Sequence, residues 1–296
     1  MERIPLAKPY WDEECEKAAI DALSSGRWVK GPQARKFGEE FAQWCGAISA
    51  VPCQSGSAAL WAAMRLLDIG PGDEVIVPGM TFIATATSVS LVGATPVFAD
   101  IEEDFWCICP DDVEAKITKR TKAVIGVHIF GQTFSPRLKE ICEKHNIALV
   151  EDAAQAHGAT LNGVKAGAIG DIACFSFFPS KNMAVGGEGG MITTTRADLA
   201  EKMSRVVDHG RNKMLESIEL GTNLRMSEVS AAIGRIQLKH LESWTKQRRD
   251  NSNSINHSTK LRDNAEHAWH QLCILSENPN DLISKFNSAG IDTRVH

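Results

Sequence analysis

EDAAQAHGATLNGVKAGAIGDIACFSFFPSKNMAVGGEGG, residues 151–190, decides how this chain is read. Ile147 to Val150 form a short apolar run leading straight into Glu151 and Asp152, so two carboxylates stand at the carboxyl end of a buried strand, where open α/β sheets place ligands. A second apolar run, Ile172 to Phe178, delivers Ser176 and then Lys181, and a glycine-rich turn follows. Two readings are open on this pattern. One is a pyridoxal phosphate site, which needs an acid for the pyridinium nitrogen, a Schiff-base amine and glycines for close backbone approach. The other is a strand-end salt bridge between Asp152 and Lys181.

Working outward, short strand and helix patterns alternate from Ala47 onward, which predicts a doubly wound α/β sheet. Strands are expected at 48–51, 74–77, 95–99, 123–127, 147–152, 172–178 and 191–194, with helices at 54–67, 81–91, 135–145 and 197–208 between them. Two further helical segments, 12–23 and 33–44, flank the loop SSGRWVKGP. Ser55, Gly56 and Ser57 open a helix where free amides and the positive end of the dipole can hold a phosphate; serines that only cap the helix are the plainer reading. Phe82 starts the helix TFIATA, either stacking on a planar ring or filling core. A long amphipathic helix follows GTNLRMSE, a polar helix or linker covers 245–264, and 267–296 read as strand, helix and the start of another strand.

Composition is that of an ordinary globular protein: 296 residues, 43% hydrophobic, net charge -5. Such a charge offers no general attraction to nucleic acid or anionic membrane. The eight cysteines show neither CxxC pairs nor zinc-ligand spacing, so no metal site is expected and the thiols read as reduced, in a cytoplasmic protein. The first residues lack an apolar signal core, and no run approaches a membrane span.

Taken together, SGRWVKGP, SGSAAL, PGDEVIVPGMTFIATA, VGATPVFAD, HIFGQ, EDAAQAHGA, FSFFPSKN, GGEGG, HGR, NLRMSEVSAAIGRIQL and GIDTRVH make the chain resemble the DegT/DnrJ/EryC1/StrS sugar aminotransferases. The resemblance implies the three-layer α/β/α sandwich of fold type I pyridoxal phosphate enzymes, with a large cofactor-binding domain over 1–244 and a shortened α+β small domain over 245–296. It implies that Lys181 is the Schiff-base and proton-shuttling residue, that Asp152 pairs with the pyridine nitrogen, and that Gln155 lies near the ring hydroxyl. Phe82 would stack on the ring, and Gly56, Ser57 and Ser176 would hold the phosphate. Asn223 would reach the phosphate of a neighbouring subunit, which requires a homodimer. The reaction implied takes an amino group from glutamate to a nucleotide-linked ketosugar.

Three features depart from the family pattern. Ser57 stands where threonine is common, Leu224 replaces an aromatic in the subunit-crossing loop, and the sequence ends at His296 where relatives continue. The last of these keeps a non-catalytic cofactor-binding or regulatory homologue as an alternative. A sugar dehydratase of the same fold is opposed by Lys181, because those relatives carry histidine there. A general amino-acid aminotransferase would need an arginine for the substrate carboxylate, with Arg225 or Arg294 as candidates.

Overall fold

The computed structural model describes residues 3–255, 257 and 259–296. Its centre is a seven-stranded sheet in the order β1-β9-β8-β5-β4-β2-β3, built from β1 (Ser49–Cys53), β2 (Glu74–Pro78), β3 (Thr95–Ala99), β4 (Thr121–Val127), β5 (Ala148–Asp152), β8 (Ile172–Ser176) and β9 (Gly190–Thr194). A small second sheet joins β6 (Thr160–Leu161), β7 (Val164–Lys165) and β10 (Ala265–Glu266). In the large sheet β9 runs against both neighbours, while β3, β2, β4, β5 and β8 pair in parallel.

The central strands β2, β4, β5, β8 and β9 are buried on both faces, and side-chain alternation sorts their residues into two layers. Val75, Val77, Ala123, Ile125, Val150, Ile172 and Cys174 pack with α3 (Gly56–Leu66), α4 (Ala84–Leu91) and α7 (Ala197–Val206). On the opposite face, Ile76, Val124 and Leu149 meet α5 (Pro110–Lys116) and α6 (Arg137–His145). Ala173, Phe175 and Met191 on that face meet α2 (Pro32–Cys45) and α8 (Glu228–Asn253). The result is the three-layer sandwich expected. The seven expected strands and the helices between them all form, within a few residues at their ends.

Local chemistry sets the helix boundaries. Ser55 and Ser227 cap α3 and α8 by accepting from Ala58 N and Ser230 N. The first helix, α1 (Glu13–Ser24), is capped by Asp12 and lies against α8. The N-terminus of α2 is capped from a distance: the Glu228 carboxylate accepts from Gln33 N at 2.7 Å and Ala34 N at 3.1 Å. That bond ties the SSGRWVKGP loop to the start of α8.

Three details differ from expectation. The helix expected from Thr81 begins at Ala84, because residues 81–83 turn before the ladder closes. Asn162 and Gly163, both at positive φ, make a tight hairpin between β6 and β7 that the strand pattern did not register. The strand expected to begin at the end of the chain does not form among the described residues; α9 (Pro279–Ser288) is followed by a single bridge from Ile291 to Ile4.

Candidate active site

Parallel pairing of β4, β5 and β8 brings their carboxyl ends together, with Val127 opposite Asp152 and Asp152 opposite Cys174. Period-two alternation then sends the two neighbouring carboxylates of β5 to different faces. Asp152 points to the α4 side, where Thr85 Oγ1 donates to its Oδ2 at 2.7 Å and Ala154 N to its Oδ1 at 3.2 Å. Glu151 points to the other side, against His128 and the 167–170 loop. The pair therefore divides into one acid at the sheet's ligand edge and one that holds structure.

Lys181 follows β8 in a turn closed by its own amide on Phe178 O at 2.8 Å. Burial pushes its amine below the ordinary lysine range, and the Asp152 charge opposes that shift. No ion pair joins Lys181 to Asp152 among the described residues, so the salt-bridge reading of the central stretch is not what the fold adopts. A lysine disposed to give up its proton beside an acid is suited to imine chemistry and proton shuttling.

The expected phosphate residues converge. A Cβ added to Gly56 would lie 2.7 Å from Ser176 Cβ, so the α3 turn rests on the end of β8, and only glycine permits that approach. A Cβ on Gly190 would meet the Ser55 carbonyl carbon at 2.4 Å, which closes the cradle from β9. The amides of Gly56 and Ser57 donate to no described residue, while Ser55 is consumed as the helix cap. Free amides at a helix N-terminus beside a serine hydroxyl form a place for a phosphate.

Gln155 accepts the Phe130 amide at 2.6 Å through its Oε1, which leaves its NH2 group as a donor. Phe82 is 69% exposed and stands one turn before Thr85, its carbonyl accepting from Thr85 N at 3.1 Å. It is therefore not used in the core. Asn223 is exposed and bridges to Asp208 through the backbone; the next residue, Leu224, receives Gln54 N on its carbonyl at 2.8 Å. The Asn223 segment runs beside the α3 turn of its own chain, with Leu224 buried in the core.

Several residues absent from the sequence reading belong to this site. Thr81 and Thr85 lie with their hydroxyl oxygens 2.7 Å apart, and their i,i+4 spacing in TFIATA is visible in the sequence. Asn182, next to Lys181, lies with its Oδ1 3.0 Å from His270 Nδ1 and donates Nδ2 to Ala268 O at 3.0 Å. Those contacts span more than eighty residues, and no local pattern could have foretold them. Arg225 is engaged by Asp208, which also receives Lys30, and Arg294 is exposed.

The arrangement fits pyridoxal phosphate: free amides and Ser176 for the phosphate, Gln155 and Asp152 for the ring, Lys181 for the aldehyde. Comparison with known proteins agrees. The chain is 38% identical over 311 residues to dTDP-3-amino-3,4,6-trideoxy-alpha-D-glucose transaminase of Streptomyces venezuelae, covering 99% of this chain and 82% of that protein. It is 44% identical over 228 residues to UDP-N-acetyl-3-dehydro-alpha-D-glucosamine 3-aminotransferase of Acidithiobacillus ferrooxidans, covering 77% of this chain and 62% of that relative. The crystal structure of S. venezuelae DesV superposes with a TM-score of 0.92 at 36% identity, covering 99% of this chain and 83% of that one. The model of the DegT/DnrJ/EryC1/StrS aminotransferase family matches residues 9–296, and the chain belongs to that family of pyridoxal phosphate-dependent transaminases.

Proposed function

We propose that this aminotransferase moves an amino group from glutamate to a nucleotide-linked ketosugar, working as a homodimer with its sites at the subunit interface. The observation that carries the chemistry is Asp152 at the carboxyl end of β5 with the buried Lys181, whose amine feels the Asp152 charge, in the turn after β8, and the Gly56–Ser176 contact alongside. The sugar class is supported by relatives whose names specify dTDP-, UDP- and GDP-linked amino sugars.

Bound pyridoxal phosphate supplies electron withdrawal from the carbon that loses its proton. Asp152 supports that withdrawal by keeping a carboxylate against the ring nitrogen. With the cofactor bound, the Lys181 amine would take the proton that leaves the donor's α carbon and hand it on, so one group would serve as base and then acid. Ser176 and the amides of Gly56 and Ser57 would hold the phosphate, Gln155 would donate to the ring oxygen, and Phe82 would stack on the ring. Asn223 completes the phosphate site of the partner.

The test is spectroscopic and then preparative. The protein loaded with cofactor is expected to show a visible absorption band that moves to the near-ultraviolet on adding glutamate and returns on adding a nucleotide-linked ketosugar. A band insensitive to glutamate but responsive to another amino acid would overturn the donor assignment. Return of the band with α-keto acids alone, and with none of a panel of nucleotide ketosugars, would overturn the sugar assignment.

A further inference from the structure

The contacts of Asp152 point to a role for Thr85. Asp152 is nearly buried, and two protein donors reach its carboxylate: the Ala154 amide and the hydroxyl of Thr85, which is fully buried in the first turn of α4. The bond to Thr85, at 2.7 Å, is the shorter of the two. Thr81 Oγ1 lies 2.7 Å from Thr85 Oγ1. An ionised carboxylate only accepts, so the single Thr85 hydroxyl proton is directed at Asp152, and the Thr85 oxygen is left to accept from Thr81. The direction of the chain is therefore determined: Thr81 to Thr85 to Asp152.

Thr85 is itself held. Its amide donates to Phe82 O at 3.1 Å, and its carbonyl accepts from Ser88 Oγ at 2.9 Å. α4 carries no titratable side chain, so the helix offers Asp152 a neutral donor and the positive end of its dipole, with no competing charge. The other groups facing Asp152 are the Lys181 amine and the Cys174 thiol of β8; burial first, and then Asp152, pushes that thiol upward and keeps it protonated.

We propose that Thr85, oriented by Thr81, is a positioning residue for the transamination chemistry: its hydroxyl holds one oxygen of Asp152 so that the carboxylate faces the ring nitrogen of the cofactor. The proposal rests on the assignment of Asp152 as the partner of that nitrogen. Without the hydroxyl, Asp152 Oδ2 loses its side-chain donor in a buried place, and the carboxylate is free to turn away from the ring.

Thr85→Val keeps the shape and removes the donor, Thr85→Ser keeps the donor, and Asp152→Asn serves as the reference. Each variant is to be loaded with ring-15N pyridoxal phosphate, and the 15N chemical shift, the cofactor dissociation constant and the melting temperature measured. For Thr85→Val we expect a shift toward neutral pyridine and about tenfold weaker cofactor binding, the scale of one hydrogen bond to a charged group. Thr85→Ser is expected to retain the wild-type shift. A wild-type shift and affinity in Thr85→Val would overturn the proposal, as would equal loss in the valine and serine variants, which would make packing the cause. An unchanged shift in Asp152→Asn would overturn the underlying assignment instead. Should Thr85→Val not fold, Thr81→Val, which removes only the outer hydroxyl, is expected to move the shift in the same direction by less; no movement there would also refute the chain.

Discussion

Glu151 and His128 form a fully buried pair, with His128 Nε2 2.8 Å from Glu151 Oε2. Phe134 N donates to His128 Nδ1 at 3.4 Å, so the proton of the neutral ring sits on Nε2 and is given to the carboxylate. The same carboxylate accepts from Gly167 N, Ile169 N and Gly170 N at 2.8 to 2.9 Å. Four donors converge on one side chain, which fastens the 167–170 loop under the strand that carries Asp152. Glu151→Gln places an amide NH2 among those donors and should lower stability by roughly 3 kcal/mol. Urea unfolding of the cofactor-free protein measures it, and a midpoint within error of wild type would contradict the account.

Lys181 is a buried amine whose pKa is lowered chiefly by desolvation. The unfolded chain therefore binds the extra proton between the folded value and 10.5, and stability rises with pH through that window. Lys181→Met should lose the visible cofactor band yet be at least as stable as wild-type apoprotein near neutral pH, with the difference closing by about pH 10.5. Thermal unfolding across pH reads the sign.

His157 is buried against Phe175 and Phe177, and neither ring nitrogen has a hydrogen-bond partner among the described residues. Burial pushes it down to about 3, reinforced by the Lys181 and Arg248 charges. Between pH 6.5 and about 3 the unfolded state takes up a proton that the folded state refuses, so stability falls as pH drops through this range. The slope from this residue is about 1.4 kcal/mol per pH unit. His157→Leu should flatten that part of the profile, and an unaltered acid limb would sink the assignment.

Gly56→Ala should separate the α3 turn from β8, since the new Cβ would fall 2.7 Å from Ser176 Cβ. The backbone can shift to relieve the contact, but only by moving the phosphate cradle. Cofactor affinity is expected to drop about tenfold or more, with a smaller change in melting temperature. Equilibrium titration of the apoprotein with pyridoxal phosphate checks the order of the two effects.

Asn223 offers a test by complementation. In a hybrid of Lys181→Ala and Asn223→Ala protomers, a cross-subunit Asn223 leaves one site intact and the other doubly altered. Random mixing should then restore about a quarter of wild-type activity. If Asn223 serves its own chain, mixing restores nothing.

Much of the site could be read from the chain because its residues lie at the ends of apolar runs. The strands before Asp152 and Lys181 are nearly all buried, and such runs stand out without tertiary information. The Asn-Gly hairpin at 162–163 was equally local and went unread, because its two-residue strands are too short to show alternation. The pattern puts the start of α4 at Thr81, three residues before the observed Ala84, since apolar and β-branched residues continue through Ile83 while the backbone ladder does not.

By itself, then, the sequence determined the alternation of strands and helices, the family motifs, and which acid and which lysine stand at strand ends, since each depends on residues close along the chain. The tertiary structure alone decided that His128 meets Glu151, that Thr85 rather than Lys181 holds Asp152, that Asn182 meets His270, and that Glu228 caps a helix nearly two hundred residues away. Those partners are chosen by strand register and by how layers stack. Each is the outcome of burying many apolar faces at once, so no single stretch of chain encodes it.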